Sequence, residues 1–224
     1  FYADTFDINF TAGTIITQNV ALEQIPLFTA TITVVDAQSL APVENAEVVI
    51  EHTNQFFTGT TDVNGEAHFD LFYEDTYDIV GGKWLYETDC DQSVSLTISN
   101  PTHQLELPQG IYDDFTFDFG WTTFGNATSG FWERDIPQGT QGGGGGGQNP
   151  APYFDAVTDC GSFAYVTGNN GVSIGDDDID DGSVELKSPI FDLTGYANPE
   201  ISSSVPPPIT APSFAAISNA VAVL

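Results

Sequence analysis

What this chain has least of is positive charge. Its 224 residues carry 3 Lys and Arg against 32 Asp and Glu, a formal net charge of −29. That excludes nucleic acid as a natural partner, because releasing counterions from phosphates needs a basic surface. It argues equally against anionic membrane surfaces. Methionine is absent, histidine occurs 3 times and cysteine twice, as Cys90 and Cys160. Two cysteines are too few for a disulfide scaffold. They leave either one bridge, expected in an oxidising compartment, or two separate thiols. No apolar run approaches the roughly 20 residues of a membrane-spanning helix, so membrane insertion is not expected. Helical periodicity is missing as well: no segment repeats apolar residues at 3, 4 and 7 over three turns. The chain opens at Phe1 without an initiator methionine or a basic leader, as expected of a mature product or a fragment whose signal was removed.

What is present is a core and an acidic coat. The composition is 41% hydrophobic and 12% aromatic, too rich for an acidic disordered tail. Self-repulsion of the coat is screened by salt, so the surface suits saline or divalent-rich surroundings. Apolar and polar residues alternate with period two at Ala30, Ile32 and Val34, at Ala46, Val48 and Ile50, and at Ala67, Phe69 and Leu71. The same alternation recurs at Val94, Leu96 and Ile98, at Phe115, Phe117 and Phe119, and at Val184 and Leu186. Many short strands between Gly, Asn, Asp and Pro turns predict an all-β protein. Asn64-Gly65 reads as a hairpin turn with positive φ at both residues.

The texture divides the chain. Residues 1–24 form an extended segment in which Phe6, Ile8 and Phe10 alternate like a strand with one buried face. Residues 25–109 hold about seven predicted strands, and their expected interior is Ile32, Val34, Val48, Ile50, Phe69 and Leu96. Residues 110–201 are aromatic-rich with long loops, including the glycine run 142–147, which reads as a mobile loop. Residues 202–224 carry little information beyond one possible terminal strand, and three consecutive prolines exclude a central strand there.

Two stretches resemble known families. Ala30-Thr31-Ile32-Thr33-Val34-Val35-Asp36, Pro42-Val43-Glu44-Asn45-Ala46-Glu47-Val48, Gly59 to Ala67 and Tyr77-Asp78-Ile79-Val80 resemble the carboxypeptidase-regulatory-like domain, a small sandwich of transthyretin or immunoglobulin type. Asp113-Asp114-Phe115, Gly120-Trp121, Asn126 to Arg134, Ala164 to Asn169, Asp176-Asp177-Asp178 and Ser188 to Leu193 are similar to the jelly-roll module that follows such domains in large secreted proteins of the Bacteroidota, often downstream of a zinc carboxypeptidase. The resemblance implies an immunoglobulin/transthyretin-like sandwich followed by a jelly-roll-like β-sandwich, incomplete because the module's further strands give way to a Pro/Ser/Ala stretch. Such a sandwich has open edges that call for a partner.

Chemistry-bearing patterns are sparse. His103-Gln104-Leu105-Glu106 matches the His-x-x-Glu zinc pair, but no later histidine supplies the third ligand, and on a strand residues three apart face opposite sides. His52 and His68 fall on polar strand faces and are expected to be solvated. No nucleophile elbow, Cys-His pair or phosphate-binding loop occurs, so no catalytic residue is assigned. The acidic run Asp176, Asp177, Asp178, Asp180 and Asp181 is the candidate calcium site, with Asp113 and Asp114 able to complete it; the plain alternative is a solvated charge run. Asn9 and Asn126 head N-glycosylation sequons, and Asp4-Thr5 and Asp75-Thr76 resemble bacterial O-glycosylation sites. Trp84, Trp121, Trp132 and Tyr165 are either core rings or sugar-stacking platforms. The reading that follows is a non-catalytic extracellular or cell-surface structural or adhesive protein. It self-associates, or binds other surface proteins or glycans, and a filament joined by strand donation is one form of this. The alternatives are an accessory region of a secreted zinc metallopeptidase and a carbohydrate-binding module.

Overall fold

The computed structural model describes residues 5, 12–13, 15, 17, 19–22, 24–25, 27–53, 55–139, 151–156, 160–171, 178–192, 194, 200–204, 216–217 and 219–223. The fold is all-β, with no helix among the described residues. Phe6, Ile8, Phe10, the glycine run 142–147 and the three prolines lie outside the described residues.

The first region holds seven strands: β1 (Phe28–Asp36), β2 (Glu47–His52), β3 (Gln55–Thr60), β4 (Glu66–Leu71), β5 (Asp75–Gly82), β6 (Asp89–Leu96) and β7 (Thr102–Leu107). They form two facing sheets, one ordered β4-β1-β7 and the other β3-β2-β5-β6. Strand β1 runs antiparallel to β4 and parallel to β7. Alternation fills the space between the sheets: Ile32, Val34, Val48, Ile50, Phe69 and Leu96 are all buried, as predicted. Ile98 is not part of that series. Strand β6 ends at Leu96, and Thr97 and Asn100 close a tight turn that leaves Ile98 exposed.

Asn64-Gly65 does not close a hairpin. Strand β3 belongs to one sheet and β4 to the other, so the turn is an arch between them. Only Gly65 takes positive φ, at 75°. The reason is Asp62, whose Oδ1 accepts the backbone N–H groups of Asn64 and Glu66 and holds the arch. Gly65 O accepts the N–H of Val34, and a Cβ on Gly65 would stand 2.5 Å from Val34 O, so no other residue fits there.

The second region has shorter strands: β8 (Ile111–Asp113), β9 (Thr122–Gly125), β10 (Trp132–Asp135), β11 (Ala164–Thr167), β12 (Val184–Lys187), β13 (Glu200–Ser204), β14 (Ala216–Ile217) and β15 (Asn219–Val223). They make sheets ordered β10-β11-β14, β12-β9 and β13-β15-β8. The last residues of the chain are therefore not an appendage. Strand β13 crosses the expected division at 201, and β15 lies between β13 and β8.

Phe115 to Phe119 is not a strand, despite its alternation. The Asp113 carboxylate accepts the N–H of Phe115 and the Asp114 carboxylate accepts that of Thr116, which takes both donors away from any ladder. Phe115 adopts φ 62° and turns its ring inward. It meets Trp121 and Tyr165 edge-on at 5.3 and 5.0 Å, and this aromatic group is the centre of the second core.

Candidate functional site

Strand β3 ends its sheet, and among the described residues nothing pairs with its outer side. Its two phenylalanines are adjacent, so a period-two strand can bury only one. Phe57 packs against the first core and Phe56 faces out, 57% exposed. Just beyond β4, Phe72 and Tyr73 are also exposed. Together with Gln24, Ile25 and Gln55 these rings line an open groove of about 670 Å³. Natural edge strands are usually blunted by lysine, proline or a covering loop. Strand β3 contains neither lysine nor proline, and the rings beside it are apolar.

The second feature is a joint between the two regions. Cys90 on β6 and Cys160 form a disulfide, with Cα atoms 5.9 Å apart across a sequence separation of 70. Thr116 Oγ1 donates to Cys160 O at 2.6 Å, and Thr88 Oγ1 donates to Asp114 at 3.3 Å. The Phe117 ring lies against Gly82 at the end of β5, where a Cβ would come within 2.6 Å of it. Trp84 packs on Phe119 and Phe191.

Asp113 and Asp114 sit in this joint almost without solvent. Asp113 accepts from Phe115 N and from Trp121 Nε1, the latter at 2.7 Å. Burial pushes its carboxyl up to about 6 against those bonds, and burial likewise raises Asp114. Arg134 completes the tie: Nε donates to Phe115 O and Nη2 to Thr116 O, both at 2.8 Å, with the guanidinium over the Phe163 ring. Asp113 thus spends both oxygens on backbone and indole donors, and Asp114 Oδ1 takes a backbone and a hydroxyl donor while its buried Oδ2 has no partner among the described residues.

For the calcium site expected of the acidic run with Asp113 and Asp114, no three His, Cys, Asp or Glu side chains gather as metal ligands among the described residues. Asp176 and Asp177 lie outside the described residues. The described part of the acidic loop faces Thr128 and Ser129 instead. Thr128 N donates to Asp180 O at 2.9 Å, and Ser129 Oγ donates to Asp178 O at 3.1 Å and to Asp180 Oδ2 at 3.2 Å.

The His103–Glu106 pair sits on β7 with its two members on opposite faces, as its spacing requires. His103 Nε2 pairs with Asp91 at 2.7 Å, while Glu106 is exposed. His68 is exposed, as expected. His52 is not solvated: it is half-buried against Tyr77, with Nε2 3.1 Å from Asp75. Trp121 and Trp132, half-buried, pack against Phe115 and the buried Tyr165, and the half-buried Trp84 packs on Phe119 and Phe191. Asn126 is exposed beside Ser183; Asn9 lies outside the described residues.

No family model matches the chain, and no curated protein matches it. Among solved structures, it is similar to a chain of a type II cohesin–X-dockerin complex from Acetivibrio cellulolyticus, an N-terminal interface mutant. The identity is 21%, covering 38% of this chain and 58% of that one, with a TM-score of 0.28. It is also similar to a chain of the C-terminal interface mutant of that complex, at 23% identity, covering 35% of this chain and 51% of that one, with a TM-score of 0.25. The matches therefore span little more than half the length of those chains.

Proposed function

We propose that this protein is a non-catalytic extracellular structural or adhesive subunit that associates with further copies of itself by strand donation. The observation that carries this reading is the open β3 edge beside the groove of Phe56, Phe57, Phe72 and Tyr73. The proposed occupant is the N-terminal segment of a neighbouring copy, whose Phe6, Ile8 and Phe10 alternate at the period of a strand. An added strand pairs its main chain with β3 and places alternate side chains in apolar pockets. Gln24 and Ile25 of the same chain border the groove, and the segment before them is long enough to reach a neighbouring copy as well. Twenty extended residues span roughly 60 Å, far more than is needed to leave the parent sandwich. A contact that passes from one copy to the next without closing builds a filament.

Deleting residues 1–20 tests the reading. The full chain is expected to assemble, and the shortened chain is expected to stay monomeric in light scattering and electron microscopy with its 28–107 sandwich still folded. Assembly unchanged by the deletion would put the joint elsewhere. A full-length chain that is monomeric at every concentration would favour the metallopeptidase-accessory alternative.

A further inference from the structure

The sequon at Asn126 stands on a built piece of structure. Strands β9 and β12 pair antiparallel, with Phe124 opposite Glu185 and Gly125 opposite Val184. The pairing continues one residue beyond β9, where Asn126 N donates to Ser183 O at 3.0 Å. Ser183 N donates back to the side-chain Oδ1 of Asn126, also at 3.0 Å. The amide oxygen is thereby pinned, and the amide nitrogen Nδ2 has no acceptor among the described residues. Asn126 is exposed, and so is Phe124 two residues earlier, at 53%. Gly125 lies so close to Ser183 that a Cβ would meet its carbonyl oxygen at 2.4 Å. The run from 124 to 126 is therefore pressed flat against β12. Phe124 and Asn126 are two residues apart, the spacing at which side chains of an extended run fall on the same side.

We infer that Asn126 carries an N-linked glycan whose first sugar packs on the exposed ring of Phe124. This rests on the extracellular half of the function proposed above and not on assembly. In the transfer step, Nδ2 of Asn126 attacks the anomeric carbon of a sugar activated as a lipid or nucleotide pyrophosphate ester. The N–C bond forms, the C–O bond to phosphate breaks, the pyrophosphate ester leaves, and the amide proton passes to a base of the transferase. The modified side chain keeps its Oδ1, so the bond from Ser183 N survives. The apolar face of the first sugar then meets the one large aromatic ring exposed on β9. A two-stranded sheet is marginal in water, and every residue of β9 is exposed, so the glycan covers an exposed strand.

The test uses the protein from its native source. Mass spectrometry of the peptide containing Asn126 is expected to show a saccharide mass on that residue, and N126Q to abolish it. Enzymatic removal of the glycan is expected to lower the melting temperature of the wild type and to leave that of F124A unchanged. Antibody labelling of intact cells reports location separately. An unmodified Asn126 on a labelled, surface-exposed chain overturns the glycan while the extracellular reading stands. A glycan whose removal destabilises wild type and F124A equally overturns the packing on Phe124.

Discussion

Between Phe28 and Leu107, sixteen buried residues form one continuous cluster, all but Val43 and Ala46 drawn from strands that alternate inside and outside. Beyond Ile111 the main cluster has two buried rings, Phe115 and Tyr165, with Trp121, Trp132, Phe163 and Leu186 packed round them, and the strands have two to five residues. The first region is held by sheet ladders and aliphatic packing. The second is held by side chains that grip the main chain: Asp113 and Asp114 hold N–H groups, Arg134 holds carbonyls, and Cys160 is bonded to β6. Four carboxylates follow the same contrast. Hydrogen bonds from Ser39, Gln109 and Gln38 hold Asp36 down at about 2, and hydrogen bonds from Glu66 N and Asn64 lower Asp62. Burial raises Asp113 and Asp114. A core of aliphatic packing is indifferent to pH and redox state; a core tied by acids and a disulfide is sensitive to both.

The largest expected effect tests which region depends on which. Ile50→Asp places an unpaired charge in the centre of the first core and is expected to cost about 4 kcal/mol or more. Because Phe117 and Trp84 seat the second region on β5 and the loop after it, both regions should unfold together in a urea titration followed by circular dichroism and tryptophan fluorescence. Phe115→Ala should cost about 3–5 kcal/mol yet leave the 28–107 sandwich protected from hydrogen exchange. If Phe115→Ala unfolds that sandwich as well, the two regions are one cooperative unit and the contrast fails.

The disulfide comes next. Closing a loop of about 70 residues is worth roughly 4 kcal/mol by chain entropy. Cys90→Ser with Cys160→Ser, or a reductant, should therefore lower the denaturation midpoint of the second region. The first, whose core residues all lie in 28–107, should change little. Equal losses in the two regions would mean that the bridge stabilises the sandwich itself.

Third is the response to pH. The folded value of Asp113, about 6, lies above its ordinary 3.8. Its contribution to stability is therefore full below about pH 4 and is lost as pH rises through 6, by roughly 3 kcal/mol at most. Asp36 acts in the opposite sense: its contribution is present above its ordinary 3.8 and is lost as pH falls through about 2. Through these two groups the second region should weaken between pH 4 and 7, and the first in stronger acid. Asp113→Asn cannot titrate, and its stability should fall much less over that window, Asp114 supplying what remains. A variant with the wild-type pH slope would assign the effect to another group.

The same contrast explains what was legible in the sequence. Ile32, Val34, Val48, Ile50, Phe69 and Leu96 were readable because a strand with one wet face must alternate, and alternation is local. Phe115 to Phe119 alternates just as well and is bent, because period two does not register where a neighbouring carboxylate finds its donors. The available signal was the pair Asp113-Asp114 directly before it, residues that hydrogen-bond the main chain two positions on. The arch at Gly65 was missed for a longer-range reason: Asn-Gly names a tight turn, but the pairing of β4 with β1 decides which sheet follows it. The groove draws on Phe56-Phe57 and Phe72-Tyr73, which only the fold brings together. Its signal was the doubled aromatic, since a strand cannot turn both rings inward.

The smallest effect on stability carries the most about function. Phe56 is exposed on the edge strand of the stronger region, away from the joint, its disulfide and its buried acids. Phe56→Lys removes little buried surface, so its melting curve should stay within about 0.5 kcal/mol of wild type. Lysine on an edge strand nevertheless opposes strand addition, because an incoming strand must bury or displace its charge. The variant should therefore melt like wild type and fail to assemble, as judged by sedimentation across a concentration series. Phe124→Lys offers the matching control in the weaker region: that ring is equally exposed, on β9, but lies outside the groove. It should leave assembly intact. Loss of assembly in both variants would make exposed aromatics in general the adhesive, and loss in the Phe124 variant alone would move the joint to the second region.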